Sequence, residues 1–212
     1  LFAHARDGRE FWVSLLEKAF AKLYGSYEAI DAGSKHPRAS GGAAQAMGYM
    51  TGGISRRVRK SEGDEWPEFF ELAKDMLRSG LGGGAMTVSC PREEEIDLPA
   101  GEIKARGLIS HHAYSLLDTG GGPTLEWCGR RSFMRLRNPW GHDEWNGAWS
   151  DGSREWDQHP DVHKRLVADR GYDGNGDDGA FWMLLEDIGR YFVHPSWCWF
   201  SPFLHSVGLT GA

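Results

Sequence analysis

The spacing of apolar residues changes once along this chain, from helical to strand-like, and that change constrains the fold more than any other feature. Between Glu10 and Tyr24, the residues Phe11, Leu15, Leu16, Ala19, Phe20 and Leu23 recur at the spacing that places them on one helix face. Gly25 follows, where a C-terminal cap is expected. Trp66, Phe69, Phe70, Ala73, Met76 and Leu77 repeat the pattern, with Pro67 in the first turn and glycines from Gly80 to Gly84 closing the helix. From Met86 the period is two. Met86, Val88 and Cys90 alternate with Thr87 and Ser89 until Pro91 stops the run. Residues Leu108 to Leu117 predict a second strand, with His112 in its middle and Ser110, Tyr114 and Leu116 on the same face. Strand-like segments then end at Arg137-Asn138-Pro139, Phe181 to Met183 predicts a short strand, and Leu185 to Phe192 a short helix. Residues 31–58, rich in Gly, Ala and Ser, predict a long loop, and so do residues 141–180. Helices followed by an antiparallel strand-rich region predict an α+β fold.

Composition narrows the class. The 212 residues are 40% hydrophobic and 25% charged, an ordinary globular balance, and suffice for one well-buried domain or two small ones. A formal net charge of −6 gives no reason to expect nucleic acid or an anionic membrane as a partner. No apolar run approaches the roughly 20 residues that span a bilayer. Asp7, Arg9 and Glu10 interrupt the first apolar residues, so no secretory leader is predicted. Cys90, Cys128 and Cys198 are odd in number and widely spaced, which predicts a reducing, cytoplasmic setting and no disulfide framework. The 10 tryptophans predict a core and cleft built from indoles, each needing a partner for its N–H. The chain opens at Leu1 in the middle of a pattern, as a fragment would.

Two polar side chains fall where chemistry can be done. His112 lies in His111-His112-Ala113-Tyr114-Ser115, and Asn138 in Arg135-Leu136-Arg137-Asn138-Pro139-Trp140-Gly141. The stretch between them is long enough for two adjacent antiparallel strands to bring the side chains together. An imidazole oriented by a carboxamide carbonyl is the base and orienter of a Cys-His-Asn triad. The imidazole takes the thiol proton and later protonates the leaving amine, while the amide holds the ring without adding charge.

Longer blocks carry a resemblance. The run from Phe11-Trp12 through Ser14-Leu15-Leu16-Glu17-Lys18-Ala19-Phe20 to Tyr24-Gly25-Ser26-Tyr27-Glu28-Ala29 resembles the protease core of the calpain family, where its second subdomain begins. Thr51-Gly52-Gly53 matches a turn of that family, and His112-Ala113-Tyr114-Ser115 resembles the segment around its catalytic histidine. Arg137-Asn138-Pro139-Trp140-Gly141, Glu144-Trp145, Gly147-Ala148-Trp149-Ser150-Asp151 and Glu155-Trp156 are similar to the stretch holding its catalytic asparagine. Asp178-Gly179 and Phe181-Trp182-Met183 match a further block, and all occur in the family's order. The resemblance implies a papain-like α+β protease: residues 1–202 would form the His/Asn-bearing second subdomain and residues 203–212 a tail. It implies His112 as general base and acid, Asn138 as its orienter, and Trp140 as the indole screening the pair from water. The family's nucleophilic Cys stands in a Gly-Asp-Cys-Trp context in a first subdomain, preceded by an oxyanion-hole Gln, and neither element occurs here. Cys90 before Pro91, Cys128 in Trp-Cys-Gly and Cys198 between Trp197 and Trp199 are expected to be buried thiols. The nucleophile would come from an upstream Cys-bearing subdomain of the same parent chain, and the substrates would be cytosolic proteins.

Acidic residues gather at Asp143, Glu144, Asp151, Asp157, Asp173, Asp177 and Asp178. Loop-borne carboxylates suit calcium. The run Asp173 to Asp177 opens like an EF-hand loop, but Asp178 stands where Gly is required and Leu184 where Glu is required. The resemblance implies a different calcium site, with Glu144, Asp151 and Asp178 as carboxylate ligands and Gly176 giving a backbone carbonyl. Ala180 stands where the family has another carboxylate. His159 and His163 are spaced to share a helix face, but no third zinc ligand is evident. The run Arg56-Arg57-Val58-Arg59-Lys60 predicts a solvated loop edge. The alternative to part of a calcium-dependent endopeptidase is a catalytically inactive calpain-like module kept for interaction or regulation.

Overall fold

The computed structural model describes residues 8, 10–31, 42–58, 65–78, 83–120, 131–167, 176 and 178–200. In chain order these form α1 (Trp12–Tyr24), α2 (Tyr27–Asp31), α3 (Gly42–Thr51), β1 (Ile54–Arg57), α4 (Glu65–Arg78), β2 (Gly83–Cys90), a 3-10 turn (Glu93–Glu95) and α5 (Glu102–Ala105). They continue with β3 (His112–Gly120), β4 (Phe133–Arg137), α6 (Arg154–Gln158), α7 (Pro160–Leu166), β5 (Ala180–Leu184), α8 (Leu185–Tyr191) and β6 (Val193–Phe200). The strands make one six-stranded sheet in the order β1-β6-β2-β3-β4-β5, antiparallel throughout. The fold is α+β.

Strand alternation explains how both faces of that sheet are covered. Successive side chains point to opposite faces. Met134 and Leu136 of β4 and Phe181 and Met183 of β5 therefore join one core, with Phe69, Phe70, Ala73 and Met76 of α4 and Ile188 of α8. Phe133 and Trp182 point the other way, into a second core with Trp149, Trp156, Val162 and Leu166 around α6 and α7. Because β5 is covered on both sides, Ala180 to Met183 are all buried and read as a continuous apolar run. The amphipathic α1 is capped as expected, with Gly25 at φ 107° donating its N–H to Ala21 O at 2.8 Å. Its apolar face is largely uncovered: Phe11, Trp12, Leu15 and Leu23 are exposed.

Three expectations require correction. Residues 31–58 contain α3 and β1 in addition to loop. The helix Gly42–Thr51 is half Gly and Ala and buries only Ala44 and Met47, so its sequence lacks a readable apolar stripe. Residues 141–180 contain α6 and α7, both single-turn or two-turn helices too short for periodicity to show. The strand expected from Leu108 starts only at His112, so His112 opens the strand and does not lie in its middle. The preceding residues turn instead: Leu108 N–H donates to Ile103 O, Ile109 N–H to Tyr114 Oη, and His111 takes a positive φ of 54°. The strand β6 carries no clear alternation in sequence, yet pairs with both β1 and β2, one strand in from the edge of the sheet. The indole N–H groups find partners as expected at Trp145 (Ala148 O, 2.8 Å) and Trp156 (Ser150 O, 2.8 Å). Among the described residues no helix is long and apolar enough to cross a membrane.

Candidate active site

The β3–β4 pairing is what brings His112 and Asn138 together. Ser115 pairs with Arg137, so the start of β3 lies beside the end of β4, just where Asn138 leaves the sheet. His112 Nε2 lies 2.9 Å from Asn138 Oδ1. The amide's orientation follows from its other bonds. Asn138 Nδ2 faces two carbonyls, His142 O at 2.6 Å and Asp143 O at 3.3 Å, and Oδ1 also accepts the Trp140 N–H at 3.1 Å. Carbonyls only accept, so the NH2 must point at them and Oδ1 at the ring. His112 Nε2 therefore carries the proton in the neutral ring, and Nδ1 keeps its lone pair for chemistry. That tautomer is what a general base needs.

Asn138 is fully buried at 0% exposure, and its backbone is held too: its N–H donates to Gly179 O at 2.7 Å, and its carbonyl accepts the Gly141 N–H at 3.0 Å. Gly179 is required at this approach. A Cβ there would lie 2.6 Å from Asn138 O, and its φ of 83° disfavours any side chain. The Trp140 ring centroid is 4.5 Å from that of His112, tilted by 46°, while 57% of the Trp140 residue remains exposed. One face of the indole covers the imidazole and the rest meets solvent. Tyr114 packs edge-on to the same ring at 5.4 Å. Burial holds the His112 pKa below the ordinary histidine range, against the opposing effect of the Asn138 bond.

His112 also lines a cavity of about 450 Å³, with Arg57, Ser89, Arg92, His111 and His194 among its walls. Cys90 lines it as well and is the cross-strand partner of His112. That thiol is 1% exposed, and burial first, then the charge of Glu93, pushes its pKa up to about 12. Such a thiol holds its proton and does not act as a nucleophile. Cys198 is buried against the Thr51 hydroxyl at 3.3 Å, and Cys128 lies outside the described residues.

Of the expected calcium ligands, Glu144 and Asp178 lie on loops that are stitched together. Glu144 Oε1 accepts the Gly179 N–H at 2.7 Å, and Asp178 Oδ1 accepts the Ala180 N–H at 2.8 Å. Among the described residues no three His, Cys, Asp or Glu side chains converge on one point. Asp151 opens the turn before α6, Gly176 is described singly, and Asp173 and Asp177 lie outside the described residues. His159 precedes α7 and stacks on Trp149, whereas His163 meets Trp156, so each has an aromatic neighbour. Sequence placed Tyr114 and Gly179 inside motif blocks without giving either a supporting role, and left the carbonyls of His142 and Asp143 unmarked.

The chain matches the family model described as calpain family cysteine protease over residues 1–199. Human calpain-9 is 38% identical over 205 residues, covering 95% of this chain and 26% of that protein. Mouse calpain-5 is 35% identical over 202 residues, covering 91% of this chain and 29% of that protein. Calpain clp-1 of Caenorhabditis elegans is 36% identical over 211 residues, covering 95% and 23%. The chain thus spans about a quarter of the length of the curated relatives it matches.

Proposed function

The chain belongs to the calpain family of cysteine proteases, and on that premise we propose that it supplies the acid–base half of a papain-like endopeptidase site whose cysteine sits on another lobe of the parent protein. The supporting observation is the 2.9 Å contact between His112 Nε2 and Asn138 Oδ1, placed beneath Trp140 at the wall of an open cavity.

His112 Nδ1 accepts the proton of the partner lobe's cysteine thiol, and the thiolate attacks the scissile carbonyl carbon. The tetrahedral intermediate collapses as the C–N bond breaks, and the imidazolium returns its proton to the departing amine. Water, deprotonated by the same nitrogen, then hydrolyses the thioester. The lowered His112 pKa keeps the ring neutral near pH 7, ready to accept the first proton. Asn138 fixes the ring plane through both steps. Trp140 excludes water from the His–Asn bond, which strengthens it. The exposed apolar residues of α1, Phe11, Trp12, Leu15 and Leu23, suit contact with the other lobe. The module would comprise residues 1–202 and the tail 203–212. The buried free thiols Cys90 and Cys198 fit a reducing, cytoplasmic setting.

Calcium extends the proposal. The donors, Glu144, Asp151 and Asp178 with the Gly176 carbonyl, are the hard oxygens calcium takes; holding the ion would require drawing together three carboxylates that do not converge in this structure. Ala180 contributes no carboxylate, so the site would be weak.

Kinetics of the parent protein on a casein-like substrate test the assignment. His112→Ala is expected to remove nearly all hydrolysis and Asn138→Ala to leave a residual rate, while the 212-residue chain alone is expected to be inactive. Full activity in His112→Ala would refute it, and a parent with Ser, Gly or Ala in place of the nucleophile would mark an inactive module.

A further inference from the structure

The cavity beside His112 is more basic than proton transfer requires. Among the described residues its lining includes Arg57, Arg92, His111 and His194 against one acidic residue, Glu95. Arg57 pairs with Ser196 across the β1–β6 ladder, and its Nη1 lies 3.8 Å from where a Cβ on Gly42 would sit. Gly42 and Ala43 begin the 10-residue helix α3, so the positive end of that helix opens on the same space. The cavity forms where the β2–β6 ladder changes register between Thr87 and Ser89 and His194 turns to a φ of 53°. Such irregularities re-aim side chains beside sites of chemistry. Ser89, Cys90 and Ser196, which also line it, contribute no acid.

We propose that this cavity receives an acidic side chain of the peptide substrate, Asp or Glu, close to the bond that is cut, with Arg57 and Arg92 as its counter-charges; the placement rests on His112 being the catalytic base. A carboxylate side chain fits within about 450 Å³ with room for water. Arg57 is half-buried and Arg92 exposed, so Arg57 carries the larger share because water screens it less. A basic side chain meets repulsion, and an uncharged one gains nothing from the guanidinium groups.

The test titrates two peptides, acetyl-Ala-Glu-Gly-Ala-amide and its Gln counterpart, into the 212-residue chain while the rings of His111 and His112 are followed by NMR. The Glu peptide is expected to bind about tenfold more tightly, which is about 1.4 kcal/mol. Arg57→Gln should remove most of that preference and Arg92→Gln a smaller part, whereas Arg57→Lys should retain it. Equal affinity for the two peptides, or no saturable shift with either, overturns the proposal. So does sodium acetate reproducing the shifts at the same concentration, because the cavity would then hold any free anion. None of these results touches the His112–Asn138 pairing, which is read in the same spectra from the His112 Nε2 resonance. Loss of that pairing would sink the catalytic assignment instead.

Discussion

Replacing Asn138 by Ala tests the centre of the site through stability and titration, without needing the other lobe. The substitution deletes four side-chain hydrogen bonds: one with the His112 ring, one from the Trp140 N–H, and two to the carbonyls of His142 and Asp143. A protein hydrogen bond contributes about 1 kcal/mol net, and a partner left dry costs more. His142, Asp143 and Trp140 are exposed, so water can restore part of what they lose. The His112 ring, half-buried beneath Trp140, recovers less. The sum is a loss of roughly 2 kcal/mol, read as a lower urea midpoint in tryptophan fluorescence. The second readout is the His112 pKa. Burial lowers it and the Asn138 bond raises it, so the variant should titrate lower still while the ring stays beneath the indole. A stability change below about 0.5 kcal/mol, the level of an ordinary surface substitution, together with an unchanged His112 titration, would refute the pairing.

Three further outcomes follow from the same geometry. Gly179→Ala places a Cβ against Asn138 O in a left-handed conformation and should cost about 1–3 kcal/mol of stability, checked by urea unfolding, with the His112 ring resonances displaced. Since the folded His112 pKa is depressed, the unfolded chain binds the extra proton first as pH falls. Its contribution is therefore present above about pH 6.5 and fades below it, and the drop in unfolding midpoint between about pH 7.5 and about pH 5.5 should shrink in His112→Gln. Calorimetric titration with calcium should show weak binding, with Kd about 10⁻⁴–10⁻³ M, that is lost in Asp151→Ala; identical flat traces for both proteins would remove the site.

Several elements were legible because their signal is local. The stripes of α1 and α4 repeat at helical spacing, and β2 alternates until a proline halts it. The blocks around His112 and Asn138 marked the two side chains as candidates, and the geometry places them in contact. Other elements left no local signal. The helix α3 is half Gly and Ala and buries only two side chains, α6 and α7 are too short to show a period, and β6 pairs with strands far from it in sequence.

What sequence determined by itself was a helical start followed by a strand-rich region, the family, and the identity of the imidazole and carboxamide, since periodicity and motif are properties of neighbouring residues. Tertiary structure decided which way the amide faces, because His142 O and Asp143 O select its NH2 end. It decided that β3 begins at His112, because the preceding turn is tied to Ile103 and Tyr114. It also decided that Cys90, though directly across from His112, is chemically silent, because burial keeps its proton in place. Each of these depends on atoms that only folding brings within a few ångströms, and on the water that folding removes from between them.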